Sequence, residues 1–217
     1  VTEPVRSLRA DDADEVAAVA ALHRRCFPDY DSSRLGPAFC RRLVRSYAAE
    51  DEAWVAVAEG DDGRIVGYLV AAPPSVQRAV NRSLAPWGAL ASLRTPARVL
   101  RRVVGRARRA VASGAATAPA TSSEPDGSAG AARATIRVVL VGVDASARGT
   151  GLGRALLEDF AARASVLGHA LADLSVEVDN HEARRAYGAA GWVELGEEAG
   201  VAVRCQLVLP VAGSPPS

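Results

Sequence analysis

The stretch that constrains this chain most is an apolar run, residues 135–143, that leads directly into a glycine-rich turn. The turn reads Asp144-Ala145-Ser146-Ala147-Arg148-Gly149-Thr150-Gly151-Leu152-Gly153-Arg154. The run is rich in β-branched residues and predicts a strand. Leu152, Leu156, Phe160 and Ala164 recur every four residues and predict a helix over 151–167. Glycines let backbone N–H groups converge where a Cβ would interfere. The first turn of a helix adds unpaired donors and a partial positive charge. Together these features suit a phosphate or pyrophosphate, with Arg148 and Arg154 able to add charge. A P-loop is excluded, because its Gly-Lys-Ser/Thr needs a lysine and the chain has none. The dinucleotide fingerprint GxGxxG is also missed, since Gly149, Gly151 and Gly153 give GxGxG. Taken alone, the turn also reads as a tight strand-to-helix connection.

The elements around it are legible. Residues 5–9 alternate like a short strand. Asp11, Asp12 and Asp14 open a helix to residue 25, where acids suit the helix dipole. A second helix is expected at 37–49. Strands at 53–58 and 65–72 flank Gly60-Asp61-Asp62-Gly63 and predict a hairpin. Later come a strand at 171–178, a short helix at 182–190 ended by Gly191, and a hairpin of 192–198 with 201–209. Residues 73–134 interrupt this order. Thr95-Pro96 is a cap and first helical residue, followed by a stripe of Leu100, Val104, Ala107 and Val111. Leu90, Leu93 and Ala97 extend the stripe backwards. Arg98, Arg101, Arg102, Arg106, Arg108 and Arg109 occupy the opposite face, so a basic amphipathic helix is expected. Residues 113–134 are Ala, Ser, Thr, Pro and Gly and read as a flexible linker. The expected organisation is one domain over 1–210, interrupted by 73–134, with a disordered tail at 211–217.

A second constellation reads Leu174-Ser175-Val176-Glu177-Val178-Asp179-Asn180-His181-Glu182-Ala183-Arg184-Arg185-Ala186-Tyr187-Gly188-Ala189-Ala190-Gly191-Trp192. With it the chain resembles the GNAT superfamily of acyl-CoA-dependent N-acyltransferases. Arg148-Gly149-Thr150-Gly151-Leu152-Gly153 matches that family's Arg/Gln-x-x-Gly-x-Gly/Ala motif. Leu174, Val176, Asn180, Ala183, Tyr187 and Gly191 match its following segment, with Trp192 as the aromatic. The likeness is close over 135–198, carried by element order over 5–72 and 201–209, and absent over 73–134.

The resemblance implies an α/β (α+β) fold with a mixed, mostly antiparallel sheet of about seven strands flanked by helices. The insertion would fall between the third and fourth strands. It implies acetyl-CoA as co-substrate, with pyrophosphate on the turn and pantetheine along the preceding strand. The implied binding set is Val141, Gly142, Val143, Arg148, Gly149, Thr150, Gly151, Leu152, Gly153, Arg154, Asn180, Ala183 and Tyr187. Asn180 would bond the pantetheine or its neighbouring backbone; it also reads as a turn residue. Tyr187 would be the general acid that protonates the departing thiolate, or else a core tyrosine. For the base, relatives place a Glu where Ser175 stands here. Glu177 shares its strand face and is the candidate, directly or through water, or a solvated strand-end residue. Asp173 and His181 are weaker candidates. No Cys or Ser is marked as a covalent nucleophile, so direct attack by a primary amine in a ternary complex is expected. A non-catalytic acyl-CoA sensor on the same fold is the alternative.

Composition narrows the partners. Formal net charge is +1 over 217 residues, which gives no sign of nucleic-acid binding. That sum hides two unlike parts: residues 75–123 hold nine arginines and no acid, against 17 arginines and 25 acids elsewhere. All 26 bases are Arg and Met is absent, the mark of a GC-rich, bacterial-like codon bias. Three scattered cysteines and three scattered histidines suggest neither a disulfide framework nor a metal site. No apolar run reaches ~18 residues, and the N-terminus is polar. A soluble, cytoplasmic protein is expected. The insertion reads as a cover over the acceptor cleft, a homodimerisation arm or an anionic-membrane contact.

Overall fold

The computed structural model describes residues 5–93, 135–198 and 200–210. The strands are β1 (Arg6–Ser7), β2 (Trp54–Glu59), β3 (Ile65–Ala72), β4 (Ile136–Val143), β5 (Leu171–Glu177), β6 (Val193–Glu198) and β7 (Ala202–Val208). The helices are α1 (Ala13–Cys26), α2 (Asp31–Arg34), α3 (Pro37–Ala48), α4 (Pro74–Leu93), α5 (Leu152–Val166) and α6 (His181–Ala189). The strands make one sheet in the order β1-β2-β3-β4-β5-β7-β6. All neighbours are antiparallel except β4 and β5. This is the expected mixed, mostly antiparallel sheet with helices on its faces.

Strand alternation sorts the core into two layers. On one face Val55, Val57, Tyr68, Val70 and Ala72 meet Val16, Val19 and Leu22 of α1, Val44 and Tyr47 of α3, and Val76, Val80 and Leu84 of α4. On the other, Trp54, Ala56, Leu69, Ala71, Leu174 and Val176 meet Leu152, Leu156 and Phe160 of α5. Local signals start the helices. Asp12 caps α1 by accepting from the Asp14 and Glu15 N–H groups, and Pro37 sits in the first turn of α3.

One boundary differs from the sequence reading. The stretch interrupting the motif order starts as a packed helix, α4, directly after β3. Val76, Val80 and Leu84 already form an apolar stripe at helical spacing, ahead of Leu90. The helix continues through Pro86, which removes one backbone donor without ending it. The calls on 94–134, the basic amphipathic helix and the linker, lie outside the described residues, as does the tail at 211–217.

The feature that positions the site is a fork. β4 and β5 pair only at Ile136↔Ala172 and Arg137↔Asp173, and beyond those pairs the strands part. β4 stays paired with β3 along its length but carries one extra residue, Val139, between the Val70↔Leu140 and Ala71↔Val138 pairs. Such a bulge bends its strand. Val139, Leu140 and Val141 are half-buried in mid-sheet, so the parted strands open a cleft with an apolar wall.

Candidate active site

At the open end of the cleft β4 delivers the chain into the glycine-rich turn. Asp144 anchors the start of the turn. Its N–H donates to Val66 O at 2.7 Å, and its carboxylate accepts from Ser146 N–H, Ser146 Oγ and the Arg25 guanidinium. The Ser146 backbone N–H and Arg25 hold its pKa down at about 2. A single turn of 3-10 helix (Ala145–Ala147) follows, with Thr150 Oγ1 donating to Ala147 O at 2.8 Å. Gly149 and Gly151 have φ of 77° and 90°, a conformation that disfavours any Cβ. Gly151 caps α5 without a side-chain hydrogen bond, and no atom lies within 4 Å of where a Cβ would sit on Gly149 or Gly151. The result is an open concavity of first-turn N–H groups, suited to an anion. Arg148 is exposed beside it; Arg154 is exposed too but turned to Glu158, at 2.7 Å. Leu152 is buried and pins the turn to the core.

Gly142 has a separate reason to be glycine. An added Cβ would lie 2.7 Å from Tyr68 Cε1 and 3.2 Å from a Phe27 ring carbon. Val141 and Val143, its neighbours, edge the cleft half-buried.

The other wall comes from β5 and α6. Asn180 Oδ1 accepts from the Ala183 N–H at 3.1 Å, which makes it the N-cap of α6. Tyr187 lies on α6 under an aromatic ladder. Trp54 stacks on Phe160 at 5.9 Å, Phe160 on Trp192 at 6.1 Å, and Trp192 meets Tyr187 at 6.1 Å, tilted 59°. Burial pushes the Tyr187 phenol up to about 12, with Cys205 and Tyr30 adding to the shift, so it is a protonated group at neutral pH. Glu177 stands exposed at the end of β5, on the same face as Asp173 and Ser175.

The structure adds a residue that the sequence reading passed over. Tyr30, in the loop between α1 and α2, is half-buried, and its phenol is pushed up by burial and by the Glu177 carboxylate. The only sequence signal was an aromatic-rich loop, Phe27-Pro28-Asp29-Tyr30, following a helix. Asp173 belongs elsewhere. It is buried at the closed end of the fork, where Arg137 grips it at 2.8 and 2.6 Å and Arg204 approaches to 3.3 Å. His181 opens α6, exposed. Among the described residues no group of His, Cys, Asp and Glu could hold a metal ion, and no helix is long and apolar enough to cross a membrane.

Comparisons with known proteins agree with this geometry. The family model described as acetyltransferase (GNAT) domain matches residues 103–203. No curated protein matches the sequence. Among solved structures, the chain is similar to the ribosomal-protein-S18-alanine N-acetyltransferase from Escherichia coli, at 14% identity and a TM-score of 0.55, covering 99% of each chain. It is similar to histone acetyltransferase HPA2 and related acetyltransferase from Corynebacterium glutamicum, at 18% identity and 0.58, covering 99% of this chain and 100% of that one. Ard1 from Thermoplasma volcanium gives 16% and 0.55, over 97% and 99%. At such identities the likeness is one of fold. The matched acetyltransferase (GNAT) domain model spans the turn, both walls of the cleft and Tyr187, and the fold is similar to that of these solved acetyltransferases.

Proposed function

We propose that the chain transfers an acetyl group from acetyl-CoA to a primary amine by direct attack, with residues 1–210 acting as one catalytic domain. The observation that carries this reading is the fork. A glycine-rich turn with open space above Gly149 and Gly151 lies at its open end, and the elements of its far wall carry Tyr187 and Glu177. The Gly149–Gly153 N–H groups and Arg148 fit a pyrophosphate. The free edge of β4 around Val141, Gly142 and Val143 fits an extended amide-bearing arm.

Glu177 takes a proton from the acceptor ammonium, directly or through water. The neutral amine nitrogen then bonds to the thioester carbonyl carbon, and the C–S bond breaks. Tyr187 gives its hydroxyl proton to the departing sulfur, and the amine's second proton leaves to solvent or Glu177 as the amide forms. Solvent reprotonates Tyr187 before the next turnover.

The test is a CoA-release assay over a panel of amines and α-amino peptides. Tyr187→Phe should lower kcat by about 100-fold or more while leaving CoA affinity near the wild-type value, as expected for loss of a general acid. Equal losses of turnover and affinity would remove Tyr187 from the chemistry. Glu177→Gln should depress kcat/KM most at low pH, where amine deprotonation limits. Tight CoA binding with no turnover on any acceptor would favour the sensor reading instead.

A further inference from the structure

Half of one sheet face stays open among the described residues, and it holds charges that no step above uses. The apolar core under α1, α3 and α4 draws on β2, β3 and β4, and on no residue of β5, β6 or β7. On that face β5 presents Asp173, Ser175 and Glu177, because Leu174 and Val176 belong to the opposite core. Ser175 and Glu177 are exposed. Register places Arg204 of β7 opposite Ser175, and Ala202 opposite Glu177. On the other side of β7, Gly196 lies opposite Arg204 and Glu198 opposite Ala202. This floor runs from Asp173, at the closed end of the fork, to Glu177 at its open end.

Arg204 is the under-used charge on it. Arg137 takes both Asp173 oxygens, at 2.8 and 2.6 Å. Arg204 reaches the same carboxylate through a single Nη2 contact at 3.3 Å. One carboxylate therefore serves two guanidiniums. The Arg204 side chain is 43% exposed, and its buried Nε has no acceptor. Beside it, nothing lies within 4 Å of where a Cβ would sit on Gly196. The neighbouring Ser175 hydroxyl is turned to Glu198, at 3.3 Å. Asp173 thus holds the guanidinium from its buried side, and the outer N–H groups remain for a carboxylate.

We infer that Arg204 is a specificity-determining residue: it binds a carboxylate carried by the acceptor, while the acceptor's amine lies at Glu177. This rests on the proposed acyl transfer with Glu177 as base. Strand rise puts the Ser175–Arg204 row about 7 Å from Glu177, and Asp173 about 13 Å from it. The guanidinium leans toward Asp173, so amine and carboxylate are separated by roughly 7–13 Å in the acceptor. An α-amino acid is too short for that span. A long ω-amino acid fits it, as does a peptide α-amine with an acidic second or third residue.

Two probe pairs test this, each differing only in the carboxylate: ω-aminooctanoate against its amide, and Ala-Ala-Glu-Ala amide against Ala-Ala-Gln-Ala amide. Calorimetry on the full-length protein saturated with CoA reads binding without turnover, and acetyl-CoA assays read kcat and KM. At least one acidic probe should bind about tenfold or more tighter than its neutral partner, as expected for a charge-assisted pair. The preference should appear in KM rather than kcat. The pair that shows it tells a small amino acid from a peptide. Arg204→Gln should bring the preference below about threefold, and Arg204→Lys, which lacks the planar fork, should keep only part of it. If Arg204→Gln does not fold, the partial loss in Arg204→Lys decides. Equal binding within both pairs, binding of no probe, or a full preference in the Arg204 variants would overturn the inference. An Arg204-dependent preference in binding, with no acetyl transfer to any amine, would sink the proposed function alone. Transfer to neutral amines without such a preference would do the reverse.

Discussion

Single residues in the turn do different work despite their likeness in sequence. Gly149 and Gly151 are held in left-handed backbone with open space above them, so their constraint is conformational. Gly153 lies inside α5, and a Cβ there would meet only Val143, at an ordinary 3.7 Å. Gly151→Ala should therefore cost roughly 1–2 kcal/mol in a denaturation experiment. Gly153→Ala should be neutral or stabilising by up to about 1 kcal/mol. If Gly153→Ala is stable yet loses CoA affinity in calorimetry, the close approach of a ligand to its backbone is the reason. Tyr187 shows the same division. The sequence places it two turns after Asn180, but its raised proton affinity comes mainly from burial in the fold, against Trp192 among others.

At the scale of elements the fork is what separates this sheet from a closed one. β4 and β5 are held together at one end by two ladder pairs and by the Arg137–Asp173 ion pair, bonded twice, its carboxylate buried and its guanidinium partly exposed. Arg137 also reaches Gln77 Oε1 of α4 at 3.4 Å, so the first turn of α4 is tied to the closed end of the cleft. Arg137→Ala would leave Asp173 buried with only Arg204 at 3.3 Å. A loss on the order of 3 kcal/mol is expected from chemical denaturation. If the fork were held by the ladder alone, the loss would stay within the range of a surface substitution. Because Val76, Val80 and Leu84 of α4 are core residues, any deletion that probes the insertion should begin beyond Leu93.

Over the whole molecule, pH should act through His23, buried on α1 and hydrogen-bonded to the Tyr68 and Ser32 hydroxyls, as well as through the chemistry. His23 has a depressed pKa, about 4 against 6.5 when free. The unfolded chain thus takes up the proton first. The stability from this site is complete above about pH 6.5 and declines as pH falls toward 4, by about 3 kcal/mol in total. Glu15 follows at lower pH. Burial opposes its ionisation, but the Arg6 and Arg9 guanidiniums and the Arg9 N–H more than offset that and hold it at about 2. Its contribution is present above about 4.5 and is lost on further acidification. Thermal midpoints measured from pH 7 to 4 should fall in wild type and fall less in His23→Gln. The basic stretch also has a definite beginning at this scale, since Arg78 and Arg82 already lie on the outer face of folded α4.

Local chemistry alone determined much of this protein. Apolar alternation and capping residues marked nearly every strand and helix among the described residues. The Arg148–Gly153 turn with the Asn180–Tyr187 segment carried the resemblance to a family, because both rest on spacing within one element and its turn. The start of α4 was legible too, in Val76, Val80 and Leu84, but the apolar stripe was read only from Leu90 onward. Tertiary structure alone decided what crosses between elements: that β4 and β5 part after two residue pairs, that Asp173 serves the fork, and that His23 joins the Tyr68 and Ser32 hydroxyls. Such contacts join residues tens of positions apart, and their energy depends on burial and on a matching partner. Neither quantity is carried by a residue's neighbours in sequence.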